Sequence, residues 1–200
     1  MRLAWPTCVA MLSLSVMNLV DAAIVSTRGE AALGGVGLAT NLVYPLFLFG
    51  FGLMRGLKVV VSHARGAGRH DQLESLASGG LLLALALGVA MLGLGQFLVW
   101  LVPVLAPSAA VTGQAASYLS IRLLGAPMVL LHASTREYCY GLSLSRGPMV
   151  VAFVANLVNL ILACLFVIVM EMGTGGAAWA STVAVTLRWD FSWPSCTGPA

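Results

Sequence analysis

Five stretches of this chain, at about 7–27, 31–62, 76–102, 115–140 and 148–170, are apolar with few charges, and each is long enough to cross a bilayer as a helix. Runs of that length leave little choice of fold. In hydrocarbon every backbone N–H and C=O must be satisfied inside the element, so a spanning apolar run folds as an α-helix. Composition agrees: 60% of residues are hydrophobic, 8% are charged and the mean hydropathy is +0.96, far from the charge content of a soluble domain. The expectation is an all-α integral membrane protein, a polytopic bundle of five full transmembrane helices. A sixth apolar stretch, 176–187, reaches only about 18 Å at 1.5 Å per residue and is expected to be a short or partial helix.

The bundle is expected to occupy 1–187. Residues 188–200 change character, with Trp189, Trp193, Pro194 and Pro199 and no periodicity. Two explanations stand for this tail, an interfacial segment anchored by tryptophan or out-of-frame translation after a truncation. The first apolar run continues to Val25, longer than the roughly 7–15 residues of a secretory signal's apolar region, so it is expected to remain as a span.

Positive charge fixes the expected orientation. The connection between the second and third segments carries Arg65 and Arg69, and Arg136 and Arg146 flank the one between the fourth and fifth. The loop at 103–113 is uncharged and Arg28 is offset by Glu30. The positive-inside rule then puts the N-terminus in the cytoplasm. A net charge of +3 is accounted for by these loops, and a nucleic-acid partner is not expected.

Against this background Asp21 stands out. It lies in Met17-Asn18-Leu19-Val20-Asp21-Ala22-Ala23-Ile24-Val25 with no basic residue close in sequence. A carboxylate in a spanning helix costs roughly 2.5–3.5 kcal/mol on insertion scales, and such residues commonly mark an ion or substrate path. Helical rise puts Asp21 about 9 Å below the outer end of the first span, and Arg122 about 10 Å deep on the fourth, with Tyr118 one turn above it. On the fifth span Ala163 falls at a similar depth and Asn159 one turn deeper, with Asn156 lower still; Asn18 lies below Asp21. A polar pocket of Asp21, Asn159, Asn18, Asn156, Tyr118 and Arg122 is one expectation. The other is that the asparagines are interhelical hydrogen-bonding groups and that Arg122 reaches to the outer surface.

Other features carry less. Gly50, Gly52 and Gly56, and Gly88, Gly93 and Gly95, are expected to be close-packing helix surfaces rather than cofactor-binding loops. His132 stands alone and is left outside the site. The cysteines form no Cys-x-x-Cys pair, so neither a metal site nor a cofactor is expected. With no Ser/His or Ser/Lys pair sharing a helix face with an acid, enzyme chemistry is not expected.

The ordered motifs resemble the MATE family, multidrug and toxic compound extrusion transporters that export organic cations in exchange for protons or sodium ions. Asn18-Leu19-Val20-Asp21, followed by Gly29-Glu30-Ala31-Ala32-Leu33-Gly34-Gly35-Val36-Gly37-Leu38-Ala39, is similar to the family's first helix, outer loop and second-helix start. Val61-Ser62-His63-Ala64-Arg65-Gly66-Ala67-Gly68 resembles its Ser-Gln-x-x-Gly-Ala loop, with His63 where Gln is usual. Further matches are Tyr118 to Pro127, Arg136 with Gly141-Leu142, Arg146-Gly147-Pro148-Met149, Asn156-Leu157-Val158-Asn159 and Gly176 to Thr182.

The resemblance implies multidrug efflux by H+- or Na+-coupled antiport, with Asp21 as the first-helix coupling acid and Asn159 as its fifth-helix neighbour. The implied partners are an organic cation or drug-like solute, membrane lipids and either a second six-helix half or a homodimer mate, since family members have two such bundles. Where many relatives place a second acid or amide, this chain has Ala163. A lipid-linked saccharide flippase and a non-transporting membrane protein are the alternatives, the former weakened because Arg122 alone would supply positive charge to its cavity.

Overall fold

A computed structural model describes the backbone of residues 4–106 and 108–197, and the side chains of 8, 12, 15–106 and 108–187. The described chain is a bundle of seven α-helices. They are α1 (Ala4–Ser26), α2 (Glu30–Gly66), α3 (Asp71–Leu105), α4 (Ala109–Leu124), α5 (Ala126–Gly141), α6 (Arg146–Ala163) and α7 (Gly173–Thr197), with a π-helical turn, Cys164–Val169, prolonging α6. Helices α2, α3 and the α6–π unit are each long and apolar enough to cross a membrane.

The expected fourth span is two helices rather than one. α4 and α5 meet at a 49° bend, and the cause is local. Pro127 supplies no N–H to the ladder and its ring crowds the carbonyl four residues earlier, while Gly125 closes α4 and opens α5. Taken together the pair meets the same length and hydropathy test as one broken span. The fold is therefore the expected all-α membrane bundle, with the fourth span broken.

The helix ends also differ from the apolar runs. α2 and α3, at 37 and 35 residues, extend beyond 31–62 and 76–102, because polar turns such as that around Asp71 and Glu74 continue the helix outside the apolar part. Likewise α7 is not the short helix expected at 176–187; its backbone runs from Gly173 through Thr197, beginning where the left-handed Gly173 (φ 62°) ends the preceding turn. The side chains of 188–200, on which the proposed tryptophan anchor depends, lie outside the described residues.

The main core lies among α2, α3, α4 and α5, where Met54, Leu119, Leu123 and Leu130 are fully buried. Small residues let these helices approach. A Cβ on Gly88 would collide with the backbone of Pro127, one on Gly35 would fall 2.7 Å from Gln114 Cβ, and one on Gly50 would fall 2.6 Å from the Met91 methyl. The glycine surfaces anticipated from sequence are thus half realised: Gly50, Gly88 and Gly95 are packed, whereas Gly52, Gly56 and Gly93 have no neighbour within 4 Å of a built Cβ. These three point out of the bundle, where large apolar side chains such as Leu82, Leu94 and Trp100 are exposed, as a lipid-facing surface requires.

A second cluster, of Ile24, Val25, Ala32, Ala163, Val167, Ala177 and Ala180, joins α1, α2, the α6–π unit and α7. It lies at the end of the bundle formed by the α1–α2, α3–α4 and α6–α7 connections. There Thr174 donates to the Gln114 side-chain oxygen at 2.7 Å, binding the start of α7 to α4. At the opposite end Val61, Tyr138 and Cys139 pack together with Leu73 and Leu142, drawing in the α2–α3 and α5–α6 connections.

Candidate functional site: the α1–α6 seam

α1 packs along α6, and the seam between them contains Asp21. The Asn159 side-chain amide donates to both carboxylate oxygens, at 3.3 Å to Oδ2 and 3.5 Å to Oδ1. Asn159 is 6% exposed and Asp21 is half-buried. The Asn159 Oδ1 is buried and has no hydrogen-bond partner among the described residues. Leaving such an oxygen unpaired is costly, on the order of 1–3 kcal/mol. A site with a carboxylate and a free amide oxygen side by side offers hard oxygen ligands to a small cation, or a carboxyl to a proton.

The sequence-derived candidates separate in space. Asp21 and Asn159 are in direct contact. Asn156, one turn deeper on α6 and 8% exposed, lines a groove of about 150 Å³ with Val16, Met17, Val20, Phe153, Leu157 and Leu160. Asp21 and Asn159 do not line this groove, though their chain neighbours Val20 and Leu160 do, and apart from Asn156 its walls are apolar. Arg122 lies near enough for its charge to act on the Asp21 carboxylate, yet no ion pair joins the two among the described residues. Tyr118 is part-buried and packs against both the main core and the α1–α6–α7 cluster.

Asn18 departs from the expected pocket, since it is exposed and is absent from the groove lining. Three residues correspond to about 300° of rotation, an offset of about 60°, and Asn18 falls on the exposed side of the seam's edge while Asp21 stays half-buried at it. Ala163, one turn beyond Asn159, is 1% exposed inside the apolar cluster and offers no polar atom to the pair.

Arg28 is not among the sequence-derived candidates, because Glu30 balances its charge within the same loop. In the fold its guanidinium donates to the carbonyl oxygen of Val167 and, at 3.3 Å, to that of Ile168, and it lies 3.8 Å from the Glu171 carboxylate. No helical periodicity announced this role, because α1 ends at Ser26 and Arg28 lies in the turn beyond it.

The comparisons with known proteins fit this geometry. The MatE family matches residues 6–165. The multidrug resistance protein NorM of Vibrio parahaemolyticus is 28% identical over 189 residues, covering 91% of this chain and 41% of the relative. NorM of Vibrio cholerae is 30% identical over 83% of this chain and 36% of its own length, and the multidrug resistance protein MdtK of Photorhabdus laumondii is 26% identical over 84% and 37%. The chain thus spans about two fifths of the length of these relatives. Among solved structures, a MOP superfamily transporter from Pyrococcus furiosus superposes with a TM-score of 0.91 at 22% identity, over 96% of this chain and 43% of that one. The Vibrio cholerae transporter VcmN in its bent form superposes at 0.83 with 24% identity, over 96% and 44%.

Proposed function

Because this chain belongs to the MatE family, we propose that it forms the amino-terminal bundle of a multidrug efflux transporter driven by H+ or Na+ antiport, with Asp21 as the coupling carboxylate and Asn159 as its partner. The observation that carries the proposal is the hydrogen-bonded Asp21–Asn159 pair with its unpartnered buried Asn159 oxygen. Protonating Asp21, or holding a sodium ion between the carboxylate and that oxygen, neutralises the charge that otherwise opposes closing the seam in a low-dielectric setting. Emptying the site restores the charge. Ion binding and helix packing are coupled in this way, because the ion favours whichever arrangement holds it better.

The relatives are named for multidrug resistance, which supports a drug-like or organic-cation solute for this chain. The solute passes between this bundle and a second six-helix half, whether on the same polypeptide or supplied by another copy, because rocking of two repeats gives alternating access. The end bearing Arg65, Arg69 and Arg146 faces the cytoplasm by the positive-inside rule, so the end bearing Arg28 faces outward across the inner membrane.

Efflux of a lipophilic cationic dye from cells tests the proposal. With a second six-helix half present, dye accumulation falls when the chain is expressed, and Asp21→Asn abolishes this while leaving membrane insertion unchanged. Undiminished efflux by that variant would remove Asp21 from the mechanism.

A further inference from the structure

Among the described residues, polar ties link α1 and the turn after it to the α6–π unit, and the Asp21–Asn159 contact, which belongs to the site described above, has a shallower neighbour at the outward end. The shallower one is made by Arg28. We infer that Arg28 is a latch that closes the outward end of the α1–α6 seam above the Asp21–Asn159 pair.

The π-helical turn supplies its receptor. Within it Met170 N–H bonds to Leu165 O, five residues back, and Met172 N–H bonds to Phe166 O. Val167 and Ile168 carbonyls are at the end of the helix, where the last carbonyls lack intrahelical donors and the dipole favours a cation. The Arg28 guanidinium donates to both. Both bonds come from Nη2, while Nη1 faces the Glu171 carboxylate, so the planar fork divides between the two carbonyls and the acid in a way that a single ammonium does not. Glu171 completes the receptor. It adopts a left-handed backbone, φ 55°, which a non-glycine residue rarely takes, and its carboxylate lies beside Arg28.

Between the two ties Ile24, Val25, Ala163 and Val167 are all buried and form an apolar plug. With the latch engaged, water or an ion arriving from the outward end meets first the guanidinium and then this plug. The groove lined by Asn156, Val20 and Leu160 lies on the other side of the pair, next to it in both helices. Asp21 is half-buried with the latch engaged, and releasing Arg28 adds a route to it from the outward end. Because Arg28 belongs to the α1–α2 turn while its acceptors belong to α6, parting the helices at this end requires the latch to break.

The latch rests on the reading of Asp21 as the group an ion reaches, but its test does not measure transport. The full chain in detergent is treated with a water-soluble carbodiimide and an amine, which converts accessible carboxyls to amides, and the labelling of Asp21 relative to the exposed Glu30 is read by peptide mass spectrometry. Arg28→Ala is expected to raise this ratio about tenfold, because loss of the tie increases the population of locally open seam. Thiol modification of Cys164, at the start of the π turn, should rise with it. Arg28→Lys, which keeps one charged donor, should fall between Arg28→Ala and the parent. A ratio within about twofold of the parent in Arg28→Ala overturns the latch. If that variant does not fold, Glu171→Gln carries the test: a smaller rise supports the latch and an unchanged ratio overturns it.

Discussion

The α1–α6 seam and the α3–α5 contact are both helix pairs in one bundle, yet they are held together differently. α3 meets α5 through glycine, with Gly88 against the Pro127 backbone and Gly80 beside Ser134, and the interface is closed to anything larger than hydrogen at those points. The α1–α6 seam has instead a half-buried carboxylate on a long hydrogen bond, a buried oxygen with no partner, a groove, and a guanidinium tie at its end. Close backbone packing has one good arrangement, because dispersion falls steeply with separation. A polar seam with spare ligands has at least two, filled and empty. The contrast separates a scaffold from an element that can respond to an ion.

Substitutions at the scaffold contact should have the largest effects on stability. Gly88→Leu forces a side chain into the Pro127 backbone, whose nitrogen would lie 3.0 Å from the new Cβ. A loss of about 3 kcal/mol or failure to fold is expected, read by thermal unfolding and size-exclusion behaviour in detergent. A folded Gly88→Leu protein with parental stability would mean that α3 and α5 are not rigidly apposed.

Next comes Ala163→Asp, which puts a carboxylate into the apolar cluster one turn from Asn159. Stability should fall by about 2–3 kcal/mol for the unpaired buried group, and sodium should restore part of the loss at constant ionic strength because the added oxygens complete a cation site. Equal stability in sodium and in choline salts would show that the seam cannot gather three oxygen ligands there.

Asp21→Leu combined with Asn159→Leu should act in the opposite direction. Replacing the carboxylate together with its buried amide partner removes a desolvation cost and leaves no orphaned polar group, so thermal stability rises by about 1 kcal/mol while any response to ions is lost. A fall in stability would show the Asp21–Asn159 bond to be a structural tie. The smallest effect belongs to Gly52→Ala, at a position with open space around the built Cβ, which should change stability by no more than about 0.5 kcal/mol. It is the internal control for Gly88.

Much of this molecule could be read along one dimension. Helical class follows from the apolar runs, since a bilayer imposes it without reference to any neighbour, whereas of the five expected spans the described residues give three unbroken ones and a fourth that is bent. Asp21 is visible for the same reason: the cost of its charge depends on depth, and depth follows from rise per residue. The pairing of Asp21 with Asn159 was expected from depth together with the family resemblance, and the fold brings the two into contact.

What the sequence left open depends on azimuth and on termini. Asn18 and Asp21 are close in depth, but packing turned one outward and the other into the seam. Gly52 and Gly88 look alike in sequence, and only the position of Pro127 distinguishes them. Arg28 and Glu30 cancel on paper, whereas the fold carries Arg28 across to carbonyls about 140 residues away, released by a π turn that no local pattern announced. The sequence alone determined that the apolar runs are helical and how deep each polar residue lies, because the membrane is a uniform solvent along its plane. Tertiary structure alone decided which faces meet, because that depends on every other helix at once.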